Sequence, residues 1–197
     1  MGVNYEQFMI MLSQVSSRMP LIINPGNHAY KSPQDLVLFN ASFETYGNME
    51  NHVTYLDLGL FTFVLYDPYS ILYEDAPVEP ILNTLKDVIS TSKKNFPTKP
   101  VIVASHYPIA CSGKSKDCVD IEVTLRDIYE SFVDLKVLLY LGAHLHVYER
   151  IYPYIGNGKT TKIDPPYNMN SQTNYLPSLV EGIAGTDRGN VDSFPEI

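Results

Sequence analysis

The sequence predicts an α/β fold in which helices cover the faces of a largely parallel sheet. Short, continuous apolar runs typical of buried strands alternate with amphipathic stretches typical of helices. Histidine motifs follow several of the apolar runs, which is where the loops of such a fold carry functional side chains. The 197 residues, 45% of them hydrophobic, are enough for one domain with a substantial core.

The first half of the chain contains a helix, a strand and a strand pair. Apolar residues at helical spacing predict a helix over 6–18. A short apolar strand follows at 21–24, and a Pro-Gly pair ends it. The β-rich runs 53–57 and 60–66 flank a Leu-Gly pair and predict a hairpin or paired strands.

The second half alternates regularly between the two element types. The predicted elements are a helix at 78–90, a strand at 100–105, a helix at 123–135 and strands at 136–142 and 178–185. The stretch 155–177, rich in Gly, Asn, Thr and Pro, is predicted to be a long surface loop. Neither a repeat nor a linker-like composition indicates a second domain.

The charge balance argues against nucleic acid and membrane partners. The formal net charge is -8, and no basic cluster exceeds the pair Lys93-Lys94, whereas binding to a phosphate backbone requires a basic face. The longest apolar runs are too short to span a bilayer. The first residues lack the basic region of a signal peptide.

Four of the five histidines fall in three short motifs, each predicted to stand at a strand end. These are Asn27-His28, His106, and His144 with His146. Imidazole is the commonest side-chain ligand of metal ions, and an amide oxygen is a neutral ligand for a divalent ion. Because loops that follow parallel strands meet at one edge of the sheet, the three motifs are expected to converge there.

Each motif also has a structural interpretation. A lone histidine at a strand end is more often a hydrogen-bonded structural residue, and Gly-Asn-His alone is an ordinary turn. For His144 and His146, an extended backbone would direct both side chains to the same side, so that they reach one ion or two neighbouring ions. The three motifs together favour metal or phosphate chemistry. His52 fits none of them and is expected at the surface.

Two further features bear on the cellular compartment. Cys111 and Cys118 lie in a short polar loop, and their spacing is compatible equally with a local disulfide and with two free thiols. Asn40 begins an Asn-Ala-Ser glycosylation sequon, which gives weak support for secretion.

Three segments are informative in combination: PGNH, ASHYP with the CS that follows, and GAHLHVYERIYP. Together they resemble the purple acid phosphatases, within the calcineurin-like metallophosphoesterases. The segments YLDLGLFTFVLYD and EGIAGTDRGN are also similar to stretches of that family. The resemblance extends over about residues 6 to 190. It implies a layered metallophosphoesterase-type β-sandwich flanked by helices.

The resemblance also implies a site and a reaction. Asn27, His106 and His144 would bind a divalent ion (Zn, Mn or Fe), and His146 would bind a neighbouring Fe(III) ion. His28 would be catalytic, contacting the phosphate and assisting the leaving group. The implied activity is hydrolysis of phosphate monoesters, as in acid phosphatases, with attack by a metal-bound hydroxide at the dinuclear centre.

The cysteine loop resembles a disulfide loop of some family members, which implies a bridge between Cys111 and Cys118. With the sequon at Asn40, it favours an extracellular or a lysosomal or vacuolar location.

The sequence departs from the family pattern in three places. Ala29 stands where an acidic residue usually follows the histidine, and Ala143 replaces a glycine. More seriously, Asp35 is the first aspartate of the chain, so the two aspartate motifs that usually precede Asn27 are absent.

Residues 1–197 are therefore expected to be the carboxyl-terminal two-thirds of a catalytic domain whose first strands are missing, with little activity alone. The alternatives are a catalytically incomplete domain with a binding or structural role and, more weakly, a relative that acts on phosphodiesters or nucleotides.

Overall fold

The computed structural model describes residues 2–19, 21–42, 49–111, 116–156, 159–160 and 176–181. The α-helices in this part are Gly2–Ser16 (α1), Pro33–Ser42 (α2), Tyr69–Tyr73 (α3), Glu79–Asn95 (α4), Lys116–Thr124 (α5) and Arg126–Asp134 (α6), with a 3-10 helix at Asn27–Tyr30. The strands are Met49–Glu50 (β1), Val53–Asp57 (β2), Thr62–Tyr66 (β3), Val101–Ala104 (β4), Leu139–Gly142 (β5), Tyr148–Gly156 (β6), Lys159–Thr160 (β7) and Leu176–Glu181 (β8).

All the described strands join one mixed sheet, in the order β1-β2-β3-β4-β5-β8-β6-β7. Its centre, β3-β4-β5-β8, is parallel, and both flanks are antiparallel. The α/β prediction is therefore confirmed. The second sheet that a sandwich requires does not occur among the described residues as a separate sheet.

The predicted strand pair is confirmed as a hairpin of β2 and β3. Its register runs from Val53 opposite Tyr66 to Asp57 opposite Thr62. The connecting turn needs a glycine, because Gly59 has φ +78, a conformation that residues with a Cβ adopt at a cost.

Helices α4 and α6 pack against each other and against the sheet, and both contribute buried residues to the core. The predicted helix at 78–90 is confirmed as α4, which buries Ile81, Leu85 and Ile89 along one face. The core is unusual in its tyrosines, since five in the described part of the chain are fully buried or nearly so: Tyr66, Tyr107, Tyr129, Tyr140 and Tyr154. A buried tyrosine must satisfy its hydroxyl as well as pack its ring, and several do so at the sheet edge described below.

Two predicted elements differ in the structure. Residues 21–24 are extended but form no strand with any described segment. The predicted helix at 123–135 is divided between α5 and α6, because Leu125 leaves helical geometry (φ -98, ψ 12) while its side chain is fully buried.

The predicted surface loop at 155–177 is also partly wrong. Its beginning belongs to β6 and β7 and its end to β8, whereas 161–175 lie outside the described residues. Strand β6 was not predicted, since Pro153 removes a backbone donor and counts against a strand. The sheet accommodates it by a register shift between Ile151 and Tyr154. Residues 182–185 of the last predicted strand are outside the described part.

Helix α1 forms near its predicted bounds of 6–18, but its apolar face is not buried. Phe8, Met11 and Val15 are all largely exposed. Across the described ranges, no helix combines the length and apolarity needed to cross a bilayer.

Lys99 is a buried cation whose charge is balanced by Asp57 at the hairpin turn. The ammonium donates to the Asp57 carboxylate, and the Gly59 amide donates to the same oxygen at 2.8 Å. These two hydrogen bonds hold the pKa of Asp57 below its usual value of 3.8, and the bond from Lys99 has the larger effect.

We expect the stabilisation from this pair to disappear in acid. A carboxyl whose folded pKa is lowered contributes stability above its unfolded pKa and loses it as pH falls through the folded pKa. Urea unfolding of the wild type and Asp57→Asn should therefore show a stability difference at pH 7 that shrinks as the pH falls below 3.8. A difference that stays constant over this range would show that the carboxylate charge is not responsible.

Candidate functional site

Two of the histidine motifs lie side by side because their strands are neighbours. His106 follows β4 and His144 follows β5, and these strands are parallel, so both motifs leave the same edge of the sheet. Backbone pairing continues past the strand ends: the Ala143 amide donates to the His106 carbonyl at 3.1 Å. The two loops are thereby fixed to each other.

The Asn27 motif reaches the same edge by a different route. The segment before it is tied to the end of β3 by the Asn24 side-chain amide, which donates to the Tyr66 carbonyl at 2.9 Å. The chain then turns into the 3-10 helix, whose first residue is Asn27. This turn directs the Asn27 side chain at His106.

Asn27, His106 and His144 form a cluster of converging ligand atoms. The His106 Nε2 atom lies 3.0 Å from Asn27 Oδ1 and 3.2 Å from His144 Nδ1. Two atoms bound to one ion at about 2.1 Å, with an angle of about 90 to 110° between them, lie about 3.0 to 3.4 Å apart. Both distances from His106 Nε2 therefore match the spacing of two ligands on a single cation.

The chemistry of these atoms also fits a cation. One ring nitrogen carries either a proton or a lone pair, so His106 Nε2 has at most one proton to share between an amide oxygen and an imidazole nitrogen. A divalent ion in place of that proton would accept lone pairs from all three side chains. Asparagine and histidine are suitable ligands for zinc, manganese and iron.

Glycines make this close approach possible. A Cβ on Gly26 would lie 2.7 Å from atoms of the His106 ring, and a Cβ on Gly142 would lie 2.8 Å from the Pro108 Cα. Gly26 therefore leaves room for the His106 side chain, and Gly142 lets the two histidine loops pack together. The sequence indicated Gly26 only as a turn residue.

The backbone around His144 and His146 is not extended, which corrects the prediction from their spacing. The amides of Leu145 and Val147 each donate to the carbonyl two residues earlier, at 2.7 Å, so two successive three-residue turns centre on the histidines. The chain turns here because β6 runs antiparallel to β8, and hence opposite to β5. His144 has φ +64, an unfavourable conformation that occurs preferentially at functional sites.

His28 and His146 lie near the cluster but do not join it. Both are exposed, whereas Asn27, His106 and His144 are partly buried.

Burial lowers the pKa of His106 to about 4, with further lowering by the charges of His144, His28 and His146. With a pKa of about 4, His106 is neutral at pH values well above 4 and then has a lone pair for a metal. Within the described ranges, no group of three or more histidine, cysteine or carboxylate side chains could hold a metal ion.

Aromatic rings that the sequence did not single out adjoin the cluster. The Tyr107 ring centroid lies 5.0 Å from that of His106 and 5.1 Å from that of His144. Nearby, the Tyr30 hydroxyl donates a hydrogen bond to Asp67, whose pKa is raised mainly by burial. Asp67 directly follows β3, as His106 nearly follows β4, so its strand-end position was a usable signal.

Two structural features bear on the cellular compartment. The structure joins Cys111 and Cys118 in a disulfide with Cα atoms 6.2 Å apart. Asn40 is exposed on α2.

Comparison with known proteins gives a distant relative. No protein-family model matches the chain. The chain is 26% identical over 161 residues to human acid phosphatase type 7, a match that covers 75% of this chain and 36% of the relative. It thus spans about a third of that protein, and the similarity supports a phosphatase-like family. A solved structure, GAP50, the anchor in the inner membrane complex of Plasmodium, superposes with a TM-score of 0.41 and 18% identity over 73% of this chain and 40% of that one.

Proposed function

We propose that this chain is part of a metal-dependent phosphatase that hydrolyses phosphate monoesters. The observation that carries the proposal is the convergence of Asn27 and His144 on His106. They are 79 and 38 residues away from His106 in sequence, and their side-chain atoms lie 3.0 and 3.2 Å from His106 Nε2. The similarity to an acid phosphatase supports the same reaction class. Residues 1–197 form the carboxyl-terminal two-thirds of the catalytic domain in this proposal.

Each motif has a defined task. Asn27, His106 and His144 would hold one divalent ion, zinc, manganese or iron, and His146 would be a ligand of a second, ferric ion. When bound, such ions supply an activated water and offset negative charge on the phosphoryl oxygens. His28, whose side chain is exposed, contacts the substrate phosphate and donates a proton to the leaving oxygen.

The same proposal includes a location. A disulfide between Cys111 and Cys118 persists in an oxidising compartment, and exposed Asn40 starts a glycosylation sequon. Both features support an extracellular or a lysosomal or vacuolar protein.

One observation favours a second candidate, a catalytically incomplete domain that binds or organises other molecules. Throughout the described residues, no carboxylate completes a metal-holding group with His106 and His144. Such a domain would bind at most one ion and would not turn over a phosphate ester.

The zinc affinity of the His144→Ala variant tests the proposed site, and the His52→Ala variant is the matched control. Both histidines have positive φ, +64 and +59, so alanine has a similar backbone cost at each position. His52 is exposed and outside the three motifs. In calorimetric titrations with Zn²⁺, we expect the wild type and His52→Ala to bind tightly. His144→Ala should bind at least about 100-fold more weakly, because it loses a direct ligand whereas loss of an outer partner already costs about 10- to 100-fold.

Two results would count against this proposal. Absence of zinc binding by the wild type, or equal losses in the two variants, would refute the metal site. The same samples should be assayed with p-nitrophenyl phosphate, where we expect little turnover from residues 1–197 alone. Rapid hydrolysis that His144→Ala abolishes would show instead that this chain is a complete enzyme.

A further inference from the structure

Two buried tyrosine hydroxyls hold the segment that directly follows His106. The Tyr140 hydroxyl donates to the Tyr107 carbonyl at 2.6 Å, and the Tyr129 hydroxyl donates to the Pro108 carbonyl at 3.0 Å. Both tyrosine side chains are fully buried. Tyr140 lies on β5 and Tyr129 on α6, so the segment is held from the sheet and from a helix that covers it.

These carbonyls need such donors because they lie beyond the strand. Strand β4 ends at Ala104, before either carbonyl, and both Tyr107 and Pro108 are buried. A buried carbonyl without a donor is costly, and Pro108 has no N–H with which to continue a ladder. The tyrosines thus replace strand pairing where the chain leaves the sheet.

A third tyrosine extends this arrangement without touching the segment. The hydroxyls of Tyr66 and Tyr140 lie 3.1 Å apart. Since Tyr140 uses its single proton on the Tyr107 carbonyl, Tyr66 is the donor in this pair. Removing the Tyr66 hydroxyl therefore leaves both bonds to the 107–108 segment in place.

We propose that Tyr129 and Tyr140 are positioning residues that keep His106 in contact with Asn27 and His144. They act through the backbone after His106 and do not touch the three ligand atoms. The ring has limited freedom of its own, because Gly26 packs on one side and Tyr107 on another. A shift of the 107–108 backbone would move His106 out of line with the two neighbouring motifs. This role rests on the proposed metal site.

The test compares Tyr129→Phe and Tyr140→Phe with the control Tyr66→Phe. All three variants delete one hydroxyl from a fully buried ring, but only the first two leave a carbonyl beside His106 without its donor. Calorimetric titration with Zn²⁺ reports the ligand geometry. Hydrogen exchange of peptides spanning 105–110, measured without metal, reports the order of the segment.

We expect Tyr129→Phe and Tyr140→Phe to weaken zinc binding by about 10- to 100-fold, as for partners that orient metal ligands, and to speed exchange at 105–110. Tyr66→Phe should change neither by more than about threefold. The positioning role is refuted if the first two variants match Tyr66→Phe in both measurements. If the wild type takes up no zinc, the proposed function fails separately, and the exchange rates alone decide whether the two tyrosines fix the segment.

Discussion

Replacing Gly26 with alanine is expected to weaken metal binding at the His106 cluster by about 100-fold or more, while the protein still folds. The added Cβ would lie 2.7 Å from the His106 ring, closer than a Cβ and a ring atom can approach, so the ring must move. The backbone itself tolerates alanine, because Gly26 has φ -110 and ψ 175. The effect is thus directed at His106, and displacing a metal ligand costs at least as much as losing its outer partner.

A double-mutant cycle with His106→Ala separates this mechanism from general destabilisation. If Gly26→Ala acts only through the ring, adding it to His106→Ala should cause no further loss of zinc affinity. Gly59→Ala is a useful control, since it has open space but φ +78 and should lower stability without changing zinc affinity. Additive effects of Gly26→Ala and His106→Ala would contradict the proposed contact.

Truncation of Phe132 should cause the largest loss of stability of any variant considered. Its fully buried side chain lies between α6 and the sheet, with ring centroids 5.8 Å from Tyr66 and 6.0 Å from Tyr140. Phe132→Ala leaves a cavity among these rings and should lower the free energy of unfolding by about 3 to 5 kcal/mol in urea titrations. Because the cavity adjoins Tyr140, zinc affinity should also fall modestly.

The matched variant is Phe96→Ala, at an exposed ring near the end of α4. Phe96 contributes a contact with Lys99, whose ammonium lies 4.9 Å from the ring centroid. Its loss should cost about 0.5 to 1 kcal/mol. Similar losses for Phe96→Ala and Phe132→Ala would show that the packing of Phe132 against Tyr66 and Tyr140 contributes little to the stability of the core.

The sequence pattern predicted the central elements well because their burial is regular. Helix α4 repeats buried residues at helical spacing, and the β2–β3 pair consists of continuous β-rich runs around Gly59. Strand β6 escaped prediction, since Pro153 opposes a strand locally and is accommodated only by a register shift against β8. The register shift depends on pairing with β8, a separate segment of the chain, so the local sequence around Pro153 does not reveal it.

The candidate site was predictable in its members and less so in its geometry. Predicted strand-end positions indicated Asn27, His106 and His144, and the structure brings these three together, although residues 21–24 before Asn27 form no strand with any described segment. The spacing of His144 and His146 predicted that both side chains point to the same side. In the structure, tight turns leave the His144 ring partly buried and the His146 ring exposed. Neither the close approach of Gly26 nor the hydroxyl bonds of Tyr129 and Tyr140 has a local sequence signal, because each depends on contacts between distant segments.

Crystals grown with Zn²⁺ would test the central claim most directly, through anomalous diffraction at the zinc edge. We expect one peak about 2.0 to 2.2 Å from Asn27 Oδ1, His106 Nε2 and His144 Nδ1 together. Zinc bound only by other residues, or no peak beside His106, would contradict the assignment of these three side chains as metal ligands.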